Sequence, residues 1–364
     1  MVEHLVDRRP EVSSEDLVAG LVPPPLFQGV SFATYHPDPD QPTQAAAVDV
    51  LRGFADRVAA PPRPGFFRRR GAPVSPGGIY LDGGFGVGKT HLLASLWRAV
   101  PPPRAYATFV ELTHLAGALG FPATVDALAG MRLLAIDEFE LDDPGDTVLA
   151  STLLARLTER GVALAATSNT LPEALGEGRF ASADFAREIQ GLADHFTTVR
   201  VDGPDYRHRG RPLPGPARTD AELDPLLAAL GSESPGRRIT VDDADELAAH
   251  LMRLHPSRYG ALIDGVDVVA LRGVHAAPEE ASALRMVVLT DRLYDRQIPL
   301  LGSGRPLPEL FTDEMLAGGY RKKYLRATSR LLALGRLGDA LAAEGVGRAG
   351  ELRQVGEADR VDGR

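Results

Sequence analysis

One lysine stands alone in the first 321 residues of this chain, inside Gly83-Gly84-Phe85-Gly86-Val87-Gly88-Lys89-Thr90. The segment is an unbroken match to G-x-x-x-x-G-K-[ST]. Arginine is used everywhere else before Lys322. A chain so biased keeps a lysine where a compact ammonium on a flexible stem is needed, because arginine's planar fork is not an equivalent point charge for outer phosphate oxygens. The pattern also dictates a local shape: a buried strand, a glycine loop whose amides form an anion nest, and a helix whose N-terminus faces the phosphates. The chain is therefore expected to bind a nucleoside triphosphate on an α/β fold.

At 364 residues the chain has room for such a core and one or two appended units. The absence of cysteine excludes disulfides, thiolate metal sites and thiol nucleophiles. Glu3, Asp7, Arg8 and Arg9 interrupt the start, with no apolar run long enough for a signal peptide or a membrane span, so a cytoplasmic protein without an integral membrane segment is expected. A formal charge of −9 argues against indiscriminate nucleic-acid binding, which depends on a basic face. The densest basic run, Phe66-Phe67-Arg68-Arg69-Arg70, reads as a solvated loop anchored by two phenylalanines.

Four segments follow from the pattern of apolar runs and proline clusters. Residues 1–75 carry one helix, from Thr43 as cap to Ala59, behind a start expected to lie over the surface. Residues 76–210 form the nucleotide-binding core. Its strands are expected at Gly78–Leu81, Ala105–Val110, Arg132–Ile136, Val162–Thr167 and Thr197–Val201. Alternation with helices at Thr90–Val100 and Asp146–Arg160, the latter burying Val148, Leu149, Leu153, Leu154 and Leu157, predicts a parallel sheet covered on both faces. After the proline-rich linker Arg211–Pro216, residues 217–345 read as an α/β extension, whose Arg285, Arg326 and Arg330 are expected to complete the nucleotide site. Residues 346–364, rich in glycine and charge, are expected to be disordered.

Two further segments add chemistry to the loop. Leu133-Leu134-Ala135-Ile136-Asp137-Glu138 is an apolar strand ending in two acids. Asp137 there can share a magnesium ion with Thr90, and Glu138 can deprotonate an attacking water, which points to a hydrolase. Thr167-Ser168-Asn169 ends the neighbouring strand, where Asn169 can bond the γ-phosphate or the water. The guanine-reading Asn/Thr-Lys-x-Asp segment has no counterpart around Lys322 or Lys323, so adenine is the expected base and Gln41 and Gln44 are candidate contacts. The expected ligands are ATP and Mg2+, on the loop from Gly83 through Thr90 and His91.

With these motifs the chain resembles the ZapE family of cell-division ATPases from about Phe32 to Leu334. The resemblance rests on Tyr80 to Gly84 leading into the loop, Ile136 to Asp143, Ala166 to Asn169, Asp205-Tyr206-Arg207-His208-Arg209, the segment from Arg285 through Asp291 to Arg296, and Ser329-Arg330-Leu331. It implies an AAA+-like ATPase, a homo-oligomer, and partners in the bacterial division machinery. Where that family has L-Q-R-x-x-F, this chain has Ala181-Ser182-Ala183-Asp184-Phe185. Arg179, with Arg187 as runner-up, is then the candidate arginine acting on a neighbouring subunit. The same sequence admits two rival readings: a nucleic-acid-binding switch of the helicase-loader type, suggested by His91-Leu92 after the loop, and a nucleotide-regulated scaffold with little turnover.

Overall fold

The computed structural model of the chain describes residues 3–60, 77–84, 86–141, 144–176, 182–203, 217–234 and 236–361. Phe85, Arg179, the basic run 66–70, the linker 211–216 and the motif 205–209 lie outside the described residues. Contacts divide the chain into Ser13–Arg211 and a second unit made of Met1–Val12 with Pro212–Arg364.

The first unit is a five-stranded, all-parallel sheet in the order β2-β3-β4-β1-β5. Its strands are β1 (Gly78–Asp82), β2 (Arg104–Thr108), β3 (Leu133–Asp137), β4 (Ala163–Ser168) and β5 (Phe196–Arg200). Helices α1 (Ser14–Ala19), α2 (Pro42–Ala59), α3 (Lys89–Ala99), α4 (Phe109–Leu119), α5 (Phe121–Leu128), α6 (Pro144–Glu159) and α7 (Ala186–Ala193) surround it. Strands β1, β3 and β4 are buried along their whole length, the behaviour of a parallel strand covered on both faces. Period-two alternation then sorts their side chains. Ile79, Leu81, Leu133 and Ala135 pack with Leu51, Phe54, Leu92 and Leu96 of α2 and α3. Tyr80, Leu134, Ile136 and Leu164 pack with Leu112, Leu115, Leu154 and Leu157 of α4 and α6. The sheet is the expected P-loop NTPase arrangement, and its register brings the carboxyl ends of β1, β3 and β4 to one edge.

Local details depart from the sequence expectation for identifiable reasons. Strand β2 stops at Thr108, not Val110, because Thr108 caps α4: its hydroxyl accepts the Glu111 N–H at 3.2 Å and its own N–H donates to the Glu111 carboxylate at 2.7 Å. That reciprocal box ends the strand and starts the helix. Helix α6 buries Thr147, Ala150, Leu153, Leu154 and Leu157, leaving Val148 48% exposed. The buried stripe is rotated by about one residue. Thr43 does not cap α2; its hydroxyl accepts the Asp202 N–H at 2.9 Å instead.

The second unit holds a three-stranded parallel sheet, β6 (Ile239–Asp243), β7 (Val268–Val274) and β8 (Leu300–Gly304), in that order. Its helices are α8 (Asp220–Glu233), α9 (Ala244–Arg253), α10 (Tyr259–Leu262), α11 (Glu280–Asp295), α12 (Asp313–Ala317) and α13 (Arg321–Val361). Helix α13 thus continues past residue 346, where the sequence suggests disorder. The first residues, expected on the surface, join this unit: Glu3 bridges to Thr240, Leu5 is fully buried, and the N–H groups of Leu5 and Val6 donate to the Asp242 carboxylate at 3.0 and 3.1 Å. Among the described residues no helix is long and apolar enough to cross a membrane.

Candidate functional site

The candidate site is at the carboxyl edge of the first unit's sheet, where β1 turns into α3. Gly83 lies against the next edge of chain, and a Cβ there would sit 2.1 Å from the Val201 carbonyl oxygen. Gly86 and Gly88 hold left-handed backbone, at φ 77° and 92°, conformations that favour glycine. Gly84 is exposed and Val87 is buried in the core. Gly88 immediately precedes the first residue of α3, so the loop delivers the helix's unsatisfied N–H groups to the opening.

Lys89 is only 8% exposed, an unusual place for an ammonium unless it is well partnered. Its Nζ donates to the carbonyls of Gly83 and Gly84 at 2.7 and 2.6 Å and to Asn169 Oδ1 at 2.9 Å. The loop lysine and the polar end of β4 are therefore in direct contact across the sheet edge. Their spacing of 80 residues in sequence is closed by β1 and β4 being hydrogen-bonded neighbours, with Asp82 opposite Ser168.

Asp137 ends β3 and is buried among three hydroxyls. Thr90 Oγ1 donates to its Oδ1 at 3.3 Å, Tyr106 donates to its Oδ2 at 2.9 Å, and the Thr167 hydroxyl donates to Oδ1. Burial, and then the neighbouring Glu138 charge, hold the Asp137 carboxyl above the ordinary aspartate range, although all three hydroxyls favour the anion. Burial and the Asp137 charge likewise push the Tyr106 phenol well up, so it stays a donor. Glu138 is half-buried with φ 52°. That left-handed value is uncommon for a residue with a Cβ, and it is held from both sides. The Glu138 N–H donates to Thr167 Oγ1 at 3.1 Å and the Phe139 N–H to the Thr167 carbonyl at 2.7 Å. Phe139 is anchored edge-on against Phe109 and Tyr80, with ring centroids 5.0 and 6.4 Å away.

Other expected residues sit differently. His91 is engaged with the preceding segment: its Nε2 lies 3.2 Å from the Ser31 carbonyl and 3.1 Å from Thr34 Oγ1, and its ring meets Tyr35 edge-on. Gln44 is buried with both polar ends used inside the fold, donating to the Asp202 carbonyl at 2.8 Å and accepting the Asp38 N–H at 2.9 Å. Those bonds leave it a structural clamp, whereas Gln41 stands just before α2 with no side-chain capping bond. Arg326 and Arg330 of the second unit both reach Asp291, the first at 3.1 Å. Burial alone would raise that carboxyl, but the two guanidiniums hold it below its ordinary value. Arg187 is exposed on α7.

Sequence reading missed Tyr35. Its hydroxyl donates to the Val87 carbonyl at 3.0 Å, and its ring occupies the space where a Cβ on Gly88 would stand, at 2.6 Å. No local signal marks it, since the contact spans 52 residues and comes from a segment that belongs to no motif.

The chain matches a family model described as AFG1-like ATPase over residues 11–342. Cell division protein ZapE of Escherichia coli (strain K12) is 29% identical over 292 residues, covering 70% of this chain and 76% of that protein. An uncharacterized protein of Schizosaccharomyces pombe (strain 972) is 29% identical over 153 residues, covering 37% of this chain and 34% of its own. Among solved structures, DnaI is 18% identical with a TM-score of 0.39, covering 51% of this chain and 96% of that one.

Proposed function

The chain belongs to the AFG1-like ATPase family, and from that membership and the site geometry we propose that it hydrolyses ATP to ADP and phosphate. The observation that carries the reading is the meeting of Lys89, Thr90, Asp137 and Asn169 at one sheet edge, with Glu138 next to Asp137. In this reading the amides of the loop and of the α3 N-terminus hold phosphate oxygens, and Lys89 supplies positive charge to the outer phosphates. Glu138 takes the proton of the attacking water, and Asn169 orients that water or the γ-phosphate.

The Thr90 hydroxyl and the Asp137 carboxylate are hard oxygen donors that already touch, which fits Mg2+. When bound, the ion would neutralise charge on the outer phosphates. Asp137's burial fits the same role, because a bound cation would favour the carboxylate over the neutral acid that burial favours. Adenine is the base this reading assigns.

The finer reading is that hydrolysis drives remodelling of a protein assembly by a cytoplasmic homo-oligomer, with Arg179 reaching the γ-phosphate of a neighbouring copy. Similarity to ZapE, named for cell division, points to the division machinery as the partner. The test is calorimetric ATP binding and phosphate release by the full chain beside Lys89→Ala. The variant should lose at least about tenfold in affinity, as expected for removing charged hydrogen bonds, and with it all measurable turnover. Parental turnover by the variant would sink the reading.

A further inference from the structure

On the first unit, away from the glycine loop, an open apolar groove of about 600 Å³ runs between α1, the start of β2, and helices α4 and α5. Val18, Leu21, Leu119, Ala127 and Met131 form its apolar lining. It adjoins a second hollow of about 330 Å³, and the two share Val22 and Arg104. Val22 is 48% exposed and Leu26 close by is 50% exposed, so apolar surface continues outward from the groove. Such contiguous exposed apolar surface marks interaction sites more often than scattered single residues do.

The charged end gives the groove a sign. Arg98 and Arg104 line the second hollow, and among the described residues neither guanidinium has a carboxylate within ion-pairing distance. Glu15 is the one acidic residue in the lining. Arg104 is pre-placed: its guanidinium stacks 3.9 Å above the Trp97 ring, and Nη1 donates to the Arg98 carbonyl at 2.6 Å and to the Val100 carbonyl. Arg98 donates to the Gln28 carbonyl. Burial, and then the like charge of Arg98, pull Arg104 below its ordinary pKa. The buried Trp97 indole N–H has no acceptor among the described residues.

We propose that this groove docks a short segment of a partner protein carrying two or three apolar side chains and one or two carboxylates. The apolar side chains fill the lining between α1, α4 and α5, and the carboxylates pair with Arg98 and Arg104. Charge-assisted, bidentate pairing by arginine is the specific element of that recognition. Trp97 and Arg98 lie in the last turn of α3, whose first residue is Lys89. The docked segment therefore touches one end of the helix whose other end forms the nucleotide loop.

Trp97 is the chain's single tryptophan, so its emission reports this site alone. The full chain would be panned against a random twelve-residue peptide library, and the selected peptides synthesised. Acidic, apolar peptides should emerge and shift Trp97 emission. Arg98→Glu and Val22→Asp, both at exposed positions, should weaken them about tenfold or more while parental ATP turnover and melting temperature persist. Peptides without acidic residues, binding indifferent to both substitutions, or no selected binders would overturn the proposal. So would vesicles of anionic phospholipid that shift Trp97 emission while no selected peptide does.

Discussion

At the scale of single residues, the site sets function against stability at Asp137. Its carboxyl is buried and held above its ordinary range, first by that burial and then by Glu138. A carboxyl whose folded pKa exceeds its unfolded value destabilises the fold when ionised. That penalty is absent below the unfolded pKa of about 3.9 and grows as pH rises through the folded value. Asp137→Asn, which cannot ionise, should therefore melt higher than the parent at pH 8 without nucleotide or divalent cation. The gap should close as pH falls toward 4. The same substitution should lower turnover by roughly 10² or more, the scale of losing a pre-placed electrostatic group. An Asn variant melting at or below the parent at pH 8 would contradict the assignment of Asp137 as a strained anion. The identities of Lys89, Thr90 and Asp137 were legible because each sits inside a pattern whose chemistry fixes the residue type. Glu138's left-handed backbone was not, because the bonds that impose it come from Thr167, a residue 29 positions away.

At the scale of elements, the loop is held from outside its own motif. Gly88 has φ 92° and the Tyr35 ring stands 2.6 Å from its missing Cβ, whereas nothing lies within 4 Å of a Cβ on Gly84. Gly88→Ala should thus destabilise the protein by about 1–3 kcal/mol, the usual penalty for enforced strain, and impair ATP binding. Gly84→Ala should stay within about 0.5 kcal/mol of the parent. Urea unfolding of both variants checks this, and equal effects would show that Tyr35 does not set the loop. Central strands were readable because β1, β3 and β4 are near-continuous apolar runs, as doubly covered parallel strands are, closed by the polar residues Asp82, Asp137 and Ser168. Their neighbours were less so. The end of β2 depends on a capping box at Thr108 that competes with a strand-like sequence, and the buried stripe of α6 on a rotation that periodicity alone leaves loose. The pairing of Glu3 with Thr240 joins positions that the whole first unit separates in sequence, and no local pattern encodes it.

At the scale of the whole molecule, the chain combines a unit carrying the glycine loop with a second parallel α/β unit whose half-buried Asp291 binds Arg326 and Arg330. Those arginines already have a carboxylate partner inside their own unit. If Arg179 serves a neighbouring copy, Arg179→Ala subunits mixed with Lys89→Ala subunits should recover turnover that neither shows alone. A trans-acting arginine is worth about 10³ to 10⁵ in rate. Parental turnover by Arg179→Ala would exclude it. Central to the account is that the full chain hydrolyses ATP through the carboxylate next to Asp137. The most direct measurement is phosphate release by Glu138→Gln with its ATP affinity determined in parallel. The account predicts affinity equal to the parent's and turnover lower by about 10² to 10⁴, the contribution of a positioned general base. Parental turnover in the Gln variant, at unchanged affinity, would contradict it.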